Sequence, residues 1–228
     1  MTDASTRRRG RPRSFDTESA LDSVVEVFLR KGFGGTSLDE LAAAAGLNRP
    51  NLAAAFGDKR TLYVAALEHY RSRMRDRMQT VPFGLGPLRA ELEIYLDFIA
   101  SLYAGGNAEQ PLGCLVFATA PSASVEEPEV RQVLEDTIEE LDERLERRFE
   151  RAAQAGELPS NVEPAGLALA ISSLVQSLAL RARAGASERT LRKLHRRVLD
   201  ALLPASRPRA EEERSLSERR SGVRARPR

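Results

Sequence analysis

Apolar residues recur at helical spacing from Asp16 onward. One stripe occupies positions i, i+3, i+4 and i+7, namely Leu21, Val24, Val25 and Phe28. Asp16 can accept hydrogen bonds from the free amides of a first turn, and Gly32 can take the left-handed conformation that ends a helix. The pattern therefore predicts a first helix between these two residues.

Three further helices are predicted from their start and stop signals. Ser37 and Glu40 have the spacing of a capping box, and Gly46 ends the helix that they begin. Asn48 and Asp58 can cap a third and a fourth helix. The residues predicted to face inward are Leu38, Leu41, Ala42 and Ala45 in the second helix and Leu52, Ala55 and Phe56 in the third.

The segment 80–87 is rich in helix breakers and divides the chain. Helical periods then recur near 88–104, 111–121, 126–155, 163–184 and 187–203. No stretch alternates with period two for long enough to indicate a sheet, so we predict an all-α protein. The predicted parts are a flexible basic arm at 1–13, a three-helix domain at 14–60, a larger helical domain at 61–203 and a disordered tail at 204–228.

Charge is distributed unevenly along a chain whose net charge is +2. The arm and the tail each carry about +4, which leaves about −6 for the body. A basic arm on an acidic body favours a polyanion partner, although arginine-rich tails can also serve solubility alone. The single cysteine, Cys114, excludes an internal disulfide and a cysteine-based zinc cluster. We recognise no secretory signal and no apolar run of membrane-spanning length, and so expect a cytoplasmic protein with no membrane partner and no cofactor.

The second and third predicted helices, joined by a tight turn at Gly46, indicate a helix-turn-helix unit supported by the first helix. A helix of two or three turns fits the major groove of DNA when a partner helix fixes its angle. An ordinary helical hairpin has the same capping signals, so the pattern alone leaves both interpretations open.

A set of short motifs separates these two interpretations. They are Gly32-Phe33, Thr36-Ser37, Leu41-Ala42, Ala45-Gly46-Leu47, Phe56-Gly57-Asp58-Lys59 and Leu62-Tyr63. Together they resemble the DNA-binding domain of the TetR family of bacterial regulators, over roughly residues 15–70. The later part of the chain resembles the family in general layout and in the segment GCLVFATA at 113–120. The resemblance implies a dimeric regulator whose third helix reads DNA.

The resemblance also implies which residues touch DNA. The expected contacts are Asn48, Arg49, Pro50 and Asn51 at base edges, Thr36, Ser37 and Lys59 at phosphates, and Arg11 and Arg13 of the arm in the minor groove or along the phosphates. Arginine can pair with guanine and asparagine with adenine, while hydroxyl and amide groups at a helix start suit a phosphate. Basic arms commonly enter the minor groove.

Two positions depart from the family pattern. Ala53 stands where the family usually has an aromatic side chain that contacts the DNA backbone, so one contact is expected to be missing. Arg60 stands where glutamate is frequent. A cation there is mildly unfavourable for the start of the fourth helix but would attract phosphate, and we interpret Arg60 as compensation for Ala53.

The last two helices carry the expected dimer interface. The helix near 163–184 is apolar nearly all round and must be covered on several sides, either within one chain or by a partner. The family layout implies a four-helix interface with Ile171, Leu174, Val175, Leu178, Leu191, Leu194, Val198 and Leu202. An effector pocket, implied among helices four to eight, is expected to be lined by Met74, Tyr95, Phe98, Leu102, Tyr103 and Phe117, although each could equally be core.

The sequence thus predicts a sequence-specific DNA-binding regulator, a repressor released from a palindromic operator by an unknown small-molecule effector. Activation, a regulator without a small-molecule effector, and a ligand-binding module that lost DNA specificity at Ala53 stay open as alternatives. An enzyme is not predicted, since no nucleophile or phosphate-binding loop accompanies the mixed-charge run 139–151. His69 and His195 have no neighbours with metal-ligand spacing and are expected to be structural.

Overall fold

The computed structural model describes residues 16–81, 83–84, 86–105 and 113–203, and these residues form nine α-helices without a strand. The helices are α1 (Thr17–Lys31), α2 (Leu38–Ala44), α3 (Arg49–Phe56), α4 (Lys59–Gln79), α5 (Leu88–Ala104), α6 (Leu115–Ala123), α7 (Pro128–Gln154), α8 (Pro164–Arg183) and α9 (Glu188–Leu202). The all-α prediction is confirmed. The arm at 1–13 and the tail at 204–228 lie outside the described residues.

The predicted caps begin the first helices. The carboxylate of Asp16 accepts a hydrogen bond from the Glu18 amide, and the side chain of Asn48 accepts one from the Asn51 amide. Ser37 and Glu40 form the predicted capping box, in which each side chain accepts from the other residue's amide. These local bonds satisfy amides that a helix start leaves free, which is why the boundaries were readable from the sequence.

α8 is the central helix of the body and packs against α5, α6, α7 and α9. By length and composition it would suffice to cross a bilayer, with a mean hydropathy of 1.4, so the expectation that no apolar run reaches that length is wrong. Half of this segment is buried inside the fold, in the position of a core helix. The following helix α9 covers one side of it and also packs on α5.

Three polar contacts join the N-terminal helices to the body. The hydroxyl of Tyr63, fully buried in α4, lies 2.6 Å from the Thr119 hydroxyl of α6. Thr119 in turn donates to a carbonyl of its own helix, so the pair is fully bonded. The guanidinium of Arg183, at the end of α8, donates to the carbonyls of Leu29 and Arg30 in the last turn of α1. The reading domain is therefore fastened to the body at two separate places.

A buried ion pair joins α5 to α7. Nε of Arg148 donates to the Glu91 carboxylate at 2.8 Å, and both side chains are 4% exposed. The same carboxylate accepts the amides of Gly84 and Gly86 in the turn before α5. Burial alone would raise the pKa of Glu91, but these amides and Arg148 outweigh burial and lower it. Glu91 therefore holds a loop and two helices together as a carboxylate.

Replacing Glu91 by glutamine should destabilise the fold by about 3 kcal/mol, because it leaves the Arg148 charge buried without its main partner. We expect the lower end of the usual range, since Glu157 lies 3.7 Å from Arg148 and can partly substitute. Urea unfolding measures the change. The matched control Glu93→Gln, which removes a half-exposed i,i+4 pair with Arg89, should cost under about 1 kcal/mol. Equal losses in the two variants would contradict this assignment.

His195 is fully buried on α9, and its Nε2 lies 2.8 Å from the Asp97 carboxylate of α5. Burial lowers the pKa of His195 from its usual 6.5, and this effect exceeds the opposing attraction of Asp97. Arg192 and Arg196 also pair with Asp97 and disfavour a further positive charge. The neutral ring is thus the folded form, in line with the structural role predicted for this histidine.

Unfolding exposes a histidine that binds a proton more readily than the folded one does. Stability from His195 is therefore complete above about pH 6.5 and is lost as the pH falls below that value. Thermal unfolding from pH 7 to 5 should show a falling Tm. The variant His195→Gln should be less stable at pH 7 but should have a flatter profile over the same range. A profile that is equally steep in both proteins would rule out His195 as the titrating group.

Candidate DNA-reading surface and ligand cavity

Helix α3 lies on the surface and is held by two side chains. Leu52 and Phe56 are buried, while Arg49, Pro50 and Asn51 are exposed at its N-terminal end. Ala55, predicted to face inward, is exposed instead, because one turn separates the two anchors and the residues between them point outward. The outward face therefore has polar groups only at its beginning and alanines thereafter.

The exposed polar groups of α3 differ in how far they are already engaged. Nε of Arg49 lies 3.5 Å from the Asp39 carboxylate of α2, a surface pair that leaves the rest of the guanidinium available. The side-chain oxygen of Asn48 is used in the cap, which leaves its NH2 group. The side-chain amide of Asn51 has no partner among the residues that the structure describes. Donors and acceptors that can read bases are thus gathered at one end of α3.

The predicted phosphate contacts of Thr36 and Ser37 need correction. Thr36 is buried, and its hydroxyl donates to the Gly32 carbonyl at 2.7 Å, so the Thr36 side chain closes the end of α1 instead of reaching solvent. Ser37 is exposed, but both its hydroxyl and its amide are bonded to Glu40 in the capping box. Neither hydroxyl is free in this arrangement.

The two cations at the start of α4 have protein partners. Nζ of Lys59 lies 4.7 Å from the centre of the Phe33 ring, and burial, partly offset by Glu40, lowers the pKa of this lysine. Arg60 lies within 4 Å of Glu127 and Glu129 at the start of α7. The structure thus gives Arg60 a role in joining α4 to α7, which the interpretation as a phosphate contact did not foresee. Arg11 and Arg13 lie outside the described residues.

The predicted interface residues fall into two groups. Five of them, Ile171, Leu174, Val175, Leu178 and Leu191, are buried within the protomer. A side chain without exposed surface cannot contact a partner, so these five form core because α8 is covered by its own chain on that side. Leu194, Val198 and Leu202 are half-buried along α9. On α8 the large apolar side chains left exposed are Leu169 and Leu180, at 57% and 56%.

A cavity of about 110 Å³ lies between α4, α5, α6, α7 and α8. It is lined by Tyr70, Arg71, Met74, Arg75, Met78, Tyr95, Ile99, Tyr103, Cys114, Val116, Phe117, Thr137, Glu140, Leu141, Arg144 and Val175. Four of the six predicted pocket residues are among them. Phe98 and Leu102 are not, and they are half-buried against the core. The charged lining residues were missed, because helical periodicity assigns charged side chains to solvent.

Cys114 lies in the cavity wall just before α6, and the preceding Gly113 places it there. Gly113 has a φ of +69°, and a Cβ on it would lie 2.6 Å from the Ala179 carbonyl of α8. This close approach explains why α6 begins at Leu115 and not near residue 111 as predicted. Burial raises the pKa of the Cys114 thiol, although hydrogen bonds from Tyr70 and Tyr103 partly oppose the shift. The buried cysteine is therefore a neutral thiol, as a small core residue would be.

Comparison with known proteins identifies both halves of the chain. A model described as "Bacterial regulatory proteins, tetR family" matches residues 20–66. A second, described as "Tetracyclin repressor-like, C-terminal domain", matches residues 84–198, half of the chain by itself. The first match includes α2, α3 and the turn between them, and the second includes most of the cavity wall.

Individual relatives agree with these matches. The HTH-type transcriptional repressor ComR of Escherichia coli (strain K12) is 29% identical over 181 residues, which are 78% of this chain and 85% of ComR. The HTH-type transcriptional activator FasR of Mycolicibacterium smegmatis is 34% identical over 98 residues, 40% of this chain and 45% of FasR. A cysteine variant of the TetR family regulator CifR, solved with 26-bp double-strand operator DNA, has a TM-score of 0.73 and 28% identity over 85% of this chain and 100% of its own. The chain therefore belongs to the TetR family of bacterial regulatory proteins and is a DNA-binding transcriptional regulator.

Proposed function

We propose that this protein is a repressor that binds a palindromic operator as a homodimer and leaves it when a small molecule fills the cavity. Residues 14–60 would contact DNA, and residues 61–203 would bind the effector and the second protomer. The relatives ComR, a repressor, and CifR, solved on operator DNA, support this direction of control. Because it acts on DNA and has no predicted catalytic group, we place it in the cytoplasm as a non-enzymatic regulator.

The exposed beginning of α3 is the observation that carries the proposal. Arg49 and Asn51 lie on the surface on the same short helix, and Leu52 and Phe56 fix the helix from behind. Arginine and asparagine at a helix start can form paired hydrogen bonds with guanine and adenine in the major groove. The alanines that follow allow α3 to approach the DNA closely but add no donors, so specificity should be concentrated in the first turn.

The outward face of α8 supports the homodimer. Leu169 and Leu180 are eleven residues apart, three helical turns, and therefore lie on one side of the helix. Between them the same side carries the exposed Ser173, a small residue that allows a partner helix to approach. α9 adds the half-buried Leu194 and Val198 next to this stripe. An apolar stripe flanked by polar residues is the usual character of a two-fold interface.

The position of α4 supports control by the cavity. This helix starts beside α3 and continues as one wall of the cavity, from Tyr70 to Met78. A ligand that shifts the wall would therefore also move the first turn of α4, where Tyr63 and Lys59 pack against the reading domain. Such a ligand shifts the population of protomer arrangements away from the one that matches successive major grooves.

Replacing Arg49 by alanine should weaken binding to a palindrome selected from random double-stranded DNA by about 1–3 kcal/mol and should relax specificity at one base pair of each half-site. Fluorescence anisotropy on the selected and a scrambled sequence measures both effects. The control Arg147→Ala removes an equally exposed charge from α7 and should leave specific binding unchanged. Loss of affinity by the same factor on both sequences would show that Arg49 makes only non-specific contacts.

Replacing Leu180 by glutamate should raise the dimer dissociation constant at least about tenfold, because it places a charge in an apolar interface. Sedimentation velocity over a range of concentrations measures this change. The control Val125→Glu alters a side chain that is even more exposed, at 73%, in the turn between α6 and α7. The proposed interface fails if both variants stay dimeric at wild-type concentrations, or if the wild type is monomeric.

A further inference from the structure

The ionic pairing around the cavity leaves one arginine unpartnered. Three guanidinium groups line the cavity, those of Arg71, Arg75 and Arg144, together with one carboxylate, that of Glu140. Glu140 accepts hydrogen bonds from Arg75 at 2.7 Å and from Arg71 at 3.2 Å. Both of these arginines are thereby neutralised, and the hydrogen bond from Arg75 is the largest effect that lowers the pKa of Glu140. Arg144 has no carboxylate within ion-pair distance anywhere in the described part of the chain.

Arg144 is held in place by an aromatic ring instead of a charge. Its guanidinium carbon lies 5.6 Å from the centre of the Phe83 ring, and Phe83 packs against Tyr95 with ring centres 5.3 Å apart. Its one hydrogen bond to protein is a long contact of 3.4 Å with the Met78 carbonyl. The guanidinium is thus positioned by stacking while most of its donors stay available.

Tyr95 offers a second donor in the same corner. The residue is 3% exposed and lines the cavity, yet its hydroxyl has no hydrogen-bond partner among the residues described. Burial raises its pKa to about 12, and nearby Arg144 opposes that shift, so the phenol stays protonated and can donate. A buried hydroxyl without a partner is costly unless a ligand satisfies it. Arg144 and Tyr95 together therefore form a site for an anionic acceptor.

The rest of the wall and the volume limit the body of the ligand. The wall beyond the charged residues consists mainly of aromatic, methionine and cysteine side chains, which favour contact with a flat, polarisable group. A cavity of about 150 Å³ is known to hold benzene, so a space of about 110 Å³ takes one ring at most without expansion. Long acyl chains and fused ring systems are too large for it.

We propose that the effector is a single-ring aromatic carboxylate, whose ring occupies the cavity and whose carboxylate binds the Arg144 guanidinium and the Tyr95 hydroxyl. This inference rests on the proposed function, because it takes the ligand of the cavity to be the molecule that controls DNA binding. The two donors converge on the two oxygens of one carboxylate, an arrangement in which charge-assisted hydrogen bonds set both affinity and orientation.

Calorimetric titration of the full chain with benzoate, benzamide and cyclohexanecarboxylate tests this ligand class. Benzoate should bind at least about tenfold more tightly than benzamide, which has the same shape without the charge. Cyclohexanecarboxylate should bind more weakly than benzoate, because its thicker ring packs poorly between aromatic walls. Absence of benzoate binding, or equal binding of benzoate and benzamide, would overturn the proposal. Equal binding of the two carboxylates would overturn its aromatic part.

Variants test the residues. Arg144→Gln should weaken benzoate binding by about 10- to 100-fold, Arg144→Lys should restore part of the loss, and Tyr95→Phe should weaken binding by about tenfold. Arg147→Gln is the matched control, since Arg147 is exposed on the same helix and pairs with Glu143. Thermal unfolding verifies that each variant is folded. Unchanged affinity in both Arg144→Gln and Tyr95→Phe would overturn the assignment, and Tyr95→Phe with the benzamide comparison decides the matter if Arg144→Gln does not fold.

Operator binding separates this inference from the proposed function. Benzoate should release the wild-type protein from its selected palindrome and should release Arg144→Gln only at much higher concentration. Operator binding without any benzoate binding overturns the ligand class and leaves the proposed function intact. Benzoate binding that depends on Arg144 without any operator binding overturns the proposed function and leaves the cavity assignment intact. Benzoate binding that does not alter operator affinity overturns the effector role.

Discussion

The burial of Leu52 and Phe56 is the constraint on which the regulator depends, since it determines which face of α3 meets the solvent. A helix of eight residues is marginal on its own, so its orientation has to come from packing. The two anchors lie one turn apart and turn the first-turn residues Arg49 and Asn51 outward. A change of anchor size would tilt the helix and misplace every group that reads DNA, even though the reading side chains themselves were intact.

Helix α4 connects this constraint to the body. It begins three residues after α3 ends and is continuous for 21 residues, so its two ends cannot move independently by much. Its first turns pack against α1 through Tyr63 and Phe28, while its later turns form the cavity wall. Arg183 provides a second connection, from the end of α8 to the end of α1. A change in the cavity thus has two physical routes to the orientation of α3, both through rigid helices.

The sequence predicted best what is decided locally. Capping residues such as Asp16 and Asn48 bond to amides within their own first turn, so the helix starts follow from short motifs. Ala55 was misplaced because three alanines in a row provide no contrast between inner and outer positions. Thr36 was misassigned because its hydroxyl is used by the end of α1, which depends on how the turn closes in three dimensions.

The cavity and the interface required the fold itself. Periodicity assigns Arg71 and Glu140 to solvent, whereas two packed helices bring them together at a partly enclosed mouth. Similarly, α8 is apolar nearly all round, and the sequence does not indicate which side its own chain covers. Its neighbours decide this by enclosing Leu178 and leaving Leu180 exposed. A resemblance to a family supplied the order of helices but not these assignments, because the body of such proteins diverges with its ligand.

Methylation interference on the selected palindrome tests the central claim most directly, since a methyl group on guanine N7 blocks the major-groove edge that α3 is proposed to read. The account predicts interference at two symmetric clusters of guanines on one face of the duplex, about one helical turn apart or slightly more. Interference confined to one cluster, or the absence of any position that weakens binding, would contradict a symmetric pair of exposed α3 helices in successive major grooves.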